Sequence, residues 1–308
     1  MSSLTRREIA ALLGCAGLFT VGFSSLLLPS MVRSIEATFG QTDAGIGTWF
    51  LANSLAYATG SFGGGFLTER LGRHVVLSVA AILLAIGLGM LGTVPSWELV
   101  LAAAVPLGLG GGAIDGGANG LFLDLYPATR GRALNLLHLC FGLGALASPL
   151  LAGRLVEAGV PWQAVFIATA VVAIPIGLLF VVVEMPSGRH ERAAGAPRVR
   201  FTLAWPMVGL AIAIACYVGA ELGVSNWLVR FLEQASVGLA TSALSLFWGA
   251  LALGRLASAR WSDRFDHARF ASVAAFGSAI ALVAAVAVPS LELSIALFAV
   301  AGFAFGPV

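Results

Sequence analysis

The feature that most constrains this chain is a succession of apolar runs, each about 20 residues long and almost free of charge. A helix of that length crosses the ~30 Å of hydrocarbon in a bilayer. Strands of a membrane β-barrel would alternate in polarity over about ten residues, whereas these runs are uniformly apolar. Only 10% of the residues are charged, against about 25% in soluble domains. The sequence therefore predicts an all-α membrane protein, because helices satisfy every backbone polar group inside lipid.

Ten such segments can be placed, and we number them one to ten in chain order. The expected bounds are 9–32, 44–68, 74–94, 98–123, 132–156, 162–183, 204–229, 237–261, 269–289 and 291–308. Between segments six and seven lies a long polar stretch with Pro, Gly and mixed charge, which is typical of a flexible linker. We therefore expect an N-terminal bundle of six helices at 1–184, a cytoplasmic linker at 185–203 and a partial C-terminal bundle at 204–308.

The distribution of arginine predicts the orientation. All 17 basic residues are Arg, and cytoplasmic loops of membrane proteins carry an excess of basic residues. With a cytoplasmic N-terminus the outer loops hold only Arg33, Arg154 and Arg230. The inner loops then hold Arg6, Arg7, Arg70, Arg73, Arg130, Arg132, Arg189, Arg192, Arg198, Arg200, Arg260, Arg264 and Arg269. We expect a multi-pass protein of the cell (inner) membrane with its N-terminus in the cytoplasm.

A glycine-rich stretch at 60–74 closes the second segment with the sequence GSFGGGFLTERLGRH. Its small residues Gly60, Gly64 and Thr68 share one helix face, which predicts close backbone approach to a neighbouring helix in lipid. The charged turn that follows cannot lie in hydrocarbon and marks a membrane surface. A degraded copy of this motif lies 194 residues later, within GRLASARWSDR at 254–264. Two copies indicate an internal repeat, as in transporters built from related halves.

The motif G-x-x-x-[acid]-R-x-G-R resembles the loop between helices 2 and 3 of the major facilitator superfamily. The resemblance implies the major facilitator fold, with a complete six-helix N-terminal bundle and an incomplete C-terminal bundle of about four helices. It also implies a cytoplasmic gate formed by Gly65, Glu69, Arg70, Gly72 and Arg73 with Arg255, Asp263 and Arg264 of the second copy. For Arg255 we favour a gate or packing role over substrate binding. The last apolar run reaches Val308, so we expect either a truncated twelve-helix protein or an unusual ten-helix one.

Asp115 is the sharpest candidate for chemistry. It lies nine residues from Asp124, or ~14 Å along a helix. A carboxylate at that depth costs about 2.5–3.5 kcal/mol, so it should face a water-filled cavity or a partner. Asn119 stands on the same helix face. Asp115 is therefore either a proton-carrying coupling residue or a structural carboxylate bonded to another helix.

Further polar residues lie within segments two, five and seven. His138 lies ~9 Å inside segment five, close to Asn135, and either binds a hydroxylated substrate, titrates with Asp115 or bonds neutrally to another helix. Trp49, Asn53 and Tyr57 of segment two are weaker candidates, for which core packing is favoured.

Segment seven carries Glu221, Asn226 and Trp227. Glu221 either faces a cavity or forms a structural pair with another helix. Trp227, near Arg230, is either an interfacial anchor or a platform for the substrate.

The polar residues also resemble the fucose-permease-like branch of that superfamily. The resemblance rests on Asp115-x-x-x-Asn119, on Asn135 with His138, and on the sequence GAE that ends at Glu221. It implies proton coupling by the acidic residue and sugar contact at the position of His138. Segment one departs from the pattern, because its apolar core lacks the second carboxylate that this branch places there.

These observations predict a secondary transporter for a small, sugar-like polar solute that works by alternating access, with the proton as coupling ion. One alternative is an efflux transporter for drugs or amphipathic metabolites, whose cavity should be more apolar and aromatic. Another is a non-transporting sensor or a truncated relic. The phosphate-binding motif G-x-x-x-x-G-K-[ST] is impossible in a chain without Lys. We expect no enzymatic activity, no metal and no cofactor, and as partners a small-molecule substrate and the lipid bilayer, with no nucleic acid and a monomeric state.

Overall fold

The computed structural model describes residues 5–186, 205–261 and 266–306, without the side chains of 206, 259–261, 267 and 268. In these ranges the chain forms α-helices and no β-strand, so the all-α prediction is confirmed. The helices are α1 (Arg6–Ser25), α2 (Leu27–Phe39), α3 (Asp43–Leu71), α4 (Arg73–Thr93), α5 (Trp97–Leu125), α6 (Arg130–Glu157), α7 (Trp162–Val182), α8 (Trp205–Phe231), α9 (Val237–Trp261), α10 (His267–Ala287) and α11 (Leu291–Phe305).

Helices α1 and α2 together form the first segment, which is interrupted at Leu26 and longer than the sequence predicted. Pro29 has no N–H to donate to the carbonyl of Ser25, so the regular hydrogen-bond ladder stops there. The hydroxyl of Ser25 instead donates to the Val21 carbonyl, a bond that bends helices. The break redirects α2 toward α8, on which it packs.

The remaining segments each correspond to one helix, so the first six segments and the last four give the predicted six-plus-four arrangement. In the described ranges, eight stretches are long and apolar enough to span a membrane. The exceptions are α3, which is rich in small and polar residues, and α11, which is described over 15 residues. Predicted linker residues 187–203 lie outside the described residues.

The glycine face predicted on segment two packs against α5. A Cβ at Gly60 would overlap the carbonyl oxygen of Leu109, and a Cβ at Gly64 would lie 3.0 Å from the Cα of Ala113. The two backbones therefore touch directly, as the small-residue pattern predicted. At the turn into α4, Gly72 has a φ of 89°, a conformation that glycine adopts without steric cost.

The internal repeat is visible in these backbone contacts. The contact of Gly60 with the Leu109 carbonyl recurs 194 residues later, where a Cβ at Gly254 would overlap the carbonyl oxygen of Phe303. A second contact recurs at the same offset and at the same 2.5 Å, from Gly108 to the Asn53 carbonyl and from Gly302 to the Phe247 carbonyl. The predicted repeat is thereby confirmed, with α9 and α11 equivalent to α3 and α5. We call α1–α7 the first half and α8–α11 the second half.

Because consecutive segments run in opposite directions, helices α3, α5, α7 and α9 end at one end of the molecule, where α1 begins. We call it the basic end, because most of the arginines lie there in the sequence. The opposite end, which holds the α2–α3, α6–α7 and α8–α9 connections, is called the far end.

Candidate functional site

A cavity of about 890 Å³ lies between α5 and α6 of the first half and α9 of the second. Its wall includes Tyr126, Thr129 and Ser258, which lie near the ends of their helices at the basic end. The apolar part of its wall includes Phe122, Leu136, Leu139, Leu251 and Leu256, and its polar part includes Arg132, Asn135, His138 and Arg255. No carboxylate is among the described wall residues. Such a mostly apolar wall with a few polar groups is typical of small-molecule sites.

The structure places Asn135 and His138 on the cavity wall, where a solute can reach them. Arg255 also lines the cavity, although the sequence had favoured a gate or packing role for it. Helix α9 brings Arg255 from the second half to face α6 of the first. A solute in this cavity would therefore contact both halves of the repeat.

Asp115 lies behind this wall in a network of side chains. Its Oδ2 accepts a hydrogen bond from the Tyr57 hydroxyl at 3.1 Å, and its Oδ1 accepts one from Asn119 Nδ2 at 2.9 Å. His138 interacts with Asp115 electrostatically. Asp115 thus has the neighbouring-helix partner that a structural role requires, together with the histidine that a titrating pair requires. Tyr57, which the sequence assigned to core packing, is one of its two hydrogen-bonding partners.

Glu221 belongs to a second polar cluster, within the second half. Its Oε2 accepts a hydrogen bond from the Tyr217 hydroxyl at 2.6 Å and lies 3.6 Å from Arg255 Nη2. The same Arg255 nitrogen donates to the Tyr217 hydroxyl at 3.3 Å. Glu221 is not among the described wall residues. It acts on the cavity indirectly, by holding Arg255.

Trp227 packs edge-on against Phe50 of the first half, with ring centroids 5.6 Å apart and planes at 76°. It is half-buried between the two halves toward the far end, away from the described cavity wall. The structure thus places Trp227 in a contact between halves, which neither sequence alternative described. Asn226 beside it is half-buried and makes no hydrogen bond to any residue that the structure describes.

Arg33 joins the two halves at the far end. From α2 it reaches the C-terminal end of α8, where its Nε donates to the Val229 carbonyl at 2.8 Å and its Nη1 to the Ala235 carbonyl at 2.9 Å. Its Nη2 donates to the Leu232 carbonyl. The last turn of a helix leaves carbonyls without intrahelical partners, and a cation at that end is favourable. Arg33 therefore caps α8 from the other half of the molecule.

Two more contacts close the far end. Arg230 of α8 lies 2.9 Å from Asp43 and 3.3 Å from Glu36 of the first half. Glu157 of α6 accepts from the Ser236 hydroxyl at 3.0 Å and from the Gly238 backbone N–H at 2.7 Å. We call the contacts of Arg33, Arg230 and Glu157 the far-end gate. Sequence reasoning missed the far-end gate. The three outer-loop arginines were a signal, but the acceptors of Arg33 are backbone atoms, so no partner side chain could be read from the sequence.

The predicted gate motif lies at the basic end, as expected. Arg73 is buried within the first half, where it pairs with Asp124 at 2.8 Å and donates to the Pro186 carbonyl at 3.0 Å. Glu69 is exposed and forms no ion pair with a described residue, whereas Arg70 stacks on the Phe66 ring at 4.4 Å. Gly65 borders open space, Gly72 forms the turn into α4, and Arg255 lines the cavity. The last two predicted members, Asp263 and Arg264, lie outside the described residues.

Comparisons with known proteins agree with this architecture. Residues 13–308 match the family model of the Major Facilitator Superfamily. A curated relative, sodium-dependent glucose transporter 1 of Danio rerio, is 25% identical over 297 residues, which cover 81% of this chain and 49% of the relative. The chain thus spans about half the length of the first curated relatives it matches.

Two solved structures share the fold. A bacterial homologue of the human lysosomal transporter Spinster, in an inward-facing conformation, superposes with a TM-score of 0.78 at 19% identity and covers 99% of this chain and 74% of its own. The superfamily transporter FucP, in the outward conformation, gives a TM-score of 0.68 at 19% identity and covers 97% and 82%.

Proposed function

Because the chain belongs to the Major Facilitator Superfamily, we propose that it is a secondary transporter that moves a small hydroxylated solute across a membrane by alternating access. The observation that carries the proposal is a cavity between two repeat halves whose wall reaches the basic end, while direct contacts join the halves at the far end. In this fold the two halves rock around such a site. A sugar-like solute has two supports. One relative is named a glucose transporter, and the sequence motifs resemble those of a sugar-porter branch.

We propose that the basic end faces the cytoplasm of a cell (inner) membrane, so that the N-terminus is cytoplasmic. The excess of arginine at this end supports that orientation. The structure then corresponds to an inward-open state. In the outward-open state, Glu69, Arg70 and the second motif copy would close the cytoplasmic end. We also retain the expectation of a monomer that binds no nucleic acid.

The wall residues Asn135, His138 and Arg255 are proposed to contact the solute. Asparagine and histidine can hydrogen-bond hydroxyl groups, and a guanidinium adds several fixed donors. Asp115, supported by Asn119 and Tyr57, is proposed to carry the coupling proton and to exchange it with His138. Because the name of one relative includes sodium dependence, sodium is the competing coupling ion.

The proposal is tested first by binding. The purified protein is heated with a panel of neutral sugars, sugar acids and amphipathic cations, since a ligand that binds the folded state raises the melting temperature. Sugar acids belong in the panel because two arginines line the cavity. A shift with neutral sugars that Asn135→Ala and His138→Ala abolish would support the proposal. Shifts with amphipathic cations alone would support the efflux alternative.

Transport is then measured in liposomes. Uptake of the stabilising sugar is compared under an imposed pH gradient, under a sodium gradient, and with neither. Accumulation under the pH gradient would support proton coupling. Accumulation under the sodium gradient alone would identify sodium as the coupling ion. If no panel compound shifts the melting temperature and none is taken up, the transporter proposal fails.

A further inference from the structure

Helices α6 and α9 belong to different halves, and they pack tightly between the cavity and the far end. Two polar side-chain atoms of α9 at this interface are buried without any hydrogen-bond partner among the described residues: Ser245 Oγ and Trp248 Nε1. The two residues are 6% and 2% exposed, respectively. Each therefore carries the desolvation cost of its polar group with no compensating bond.

Both atoms belong to one stretch of the interface. A Cβ at Gly249 would lie 2.9 Å from Leu146, and nearer the far end one at Gly153 would overlap Thr241. Ser245 lies between Thr241 and Gly249 on the same face of α9, and the Trp248 ring contacts that of Phe141 on α6. The antiparallel register places both residues toward the far end from Gly142 and Leu251, which line the cavity.

Such a group of unpartnered donors calls for an explanation, because most buried polar side chains are hydrogen-bonded. Alternating access supplies one. When the far-end gate opens, α6 and α9 separate along this stretch, and the two side chains become part of the wall of a cavity that opens at the far end.

We infer that Ser245 and Trp248 form part of the far-facing solute site and bind the hydroxyl groups of a neutral, ring-shaped sugar before the halves close. The inference rests on the proposed function, since it requires alternating access. Trp248 offers one N–H donor, and Ser245 offers a donor and an acceptor. The Phe141 ring, 5.8 Å from that of Trp248, adds an apolar surface for the C–H face of a sugar.

The test uses Trp248→Phe and Ser245→Ala, each of which removes an unpartnered group with little change in shape. We expect the melting temperature without sugar to stay equal or rise, because the removed group has no partner in this conformation. The KM for uptake from the far side should rise about three- to tenfold, the loss of one neutral hydrogen bond to the solute. The KM for movement from the basic side, measured in inside-out vesicles, should not change.

Ser78→Ala is the matched control. Ser78 is a buried serine of α4, and its hydroxyl donates to the His74 carbonyl at 2.7 Å. Its removal should lower or preserve the melting temperature and leave both KM values unchanged. Lower melting temperatures in the two test variants, with an unchanged far-side KM, would overturn the inference and make these residues structural.

A last experiment separates this inference from the proposed function. If the wild-type protein moves no sugar, the sugar-transport proposal fails, but exposure of the site can still be measured. Ser245→Cys is combined with Arg33→Gln, which weakens the far-end gate, and treated with a membrane-impermeant thiol reagent from the far side. Faster labelling than with Arg33 intact supports the inference. Equal labelling means that this stretch does not open, and the inference is then wrong.

Discussion

Replacing Arg33 by Gln should open the far end of the molecule. Arg33 donates to three backbone carbonyls at the end of α8, and these bonds exist only while the two halves are in contact there. Glutamine is shorter and uncharged, and it can replace at most one of them. The substitution therefore removes free energy from the far-closed state and none from the far-open state.

The size of the effect follows from the bonds that are lost. A hydrogen bond to a charged group contributes about 1.5–3 kcal/mol. Arg33 is half-buried, so hydrogen bonds to water replace much of this free energy when the halves separate. We therefore take a net contribution of roughly 2–3 kcal/mol for the three bonds together. Since each 1.4 kcal/mol is a factor of ten, the ratio of far-closed to far-open molecules should fall by roughly 30- to 150-fold. A population that is about 99% far-closed would become roughly 40–77% far-closed.

The assay is the distance between spin labels on Glu98→Cys and Glu292→Cys, with Cys15, Cys140 and Cys216 replaced by Ser. Both sites are exposed at the far end, one in each half. Arg33→Gln should add a population at longer distance. Arg154→Gln is the control, because Arg154 is an exposed arginine of the same end that has no ion pair with a described residue. Identical distance distributions for wild type and both variants would refute the role of Arg33.

Three further predictions concern the basic end and the coupling site. Asp115→Asn should abolish accumulation of sugar under a pH gradient but leave counterflow at equal pH intact, because exchange needs no net proton movement; persistent accumulation would make Asp115 structural. Arg73→Gln should destabilise the protein by roughly 2–4 kcal/mol, since it removes a buried partner of Asp124, and a melting temperature like that of wild type would contradict this. Glu69→Gln should shift the population toward the inward-open state, because Glu69 is exposed here and should pair only when the basic end closes; unchanged labelling of a cysteine placed on the cavity wall would count against it.

The fold could be predicted further than the site. Apolar segment length and the two motif copies predicted the helices and the repeat, because lipid imposes both on the sequence directly. The break at Leu26 was missed, since a hydropathy pattern does not register that Pro29 removes one backbone bond. Asn119 was found as a neighbour of Asp115 because both lie on one helix face. Tyr57 was missed as its partner, because helix periodicity does not tell which helix packs on that face. The far-end gate depends on carbonyl acceptors, which no residue pattern marks.

The way in which Arg33 recognises α8 also bears on how such a protein can diversify. Its acceptors are main-chain oxygens, which every amino-acid sequence presents at the end of a helix. Side chains along α8 can therefore change from one homologue to another without loss of this contact, provided that the helix ends at the same place. The contact made by Arg33 is thus uncoupled from natural variation along α8, whereas the contacts of Arg230 depend on its own side chain.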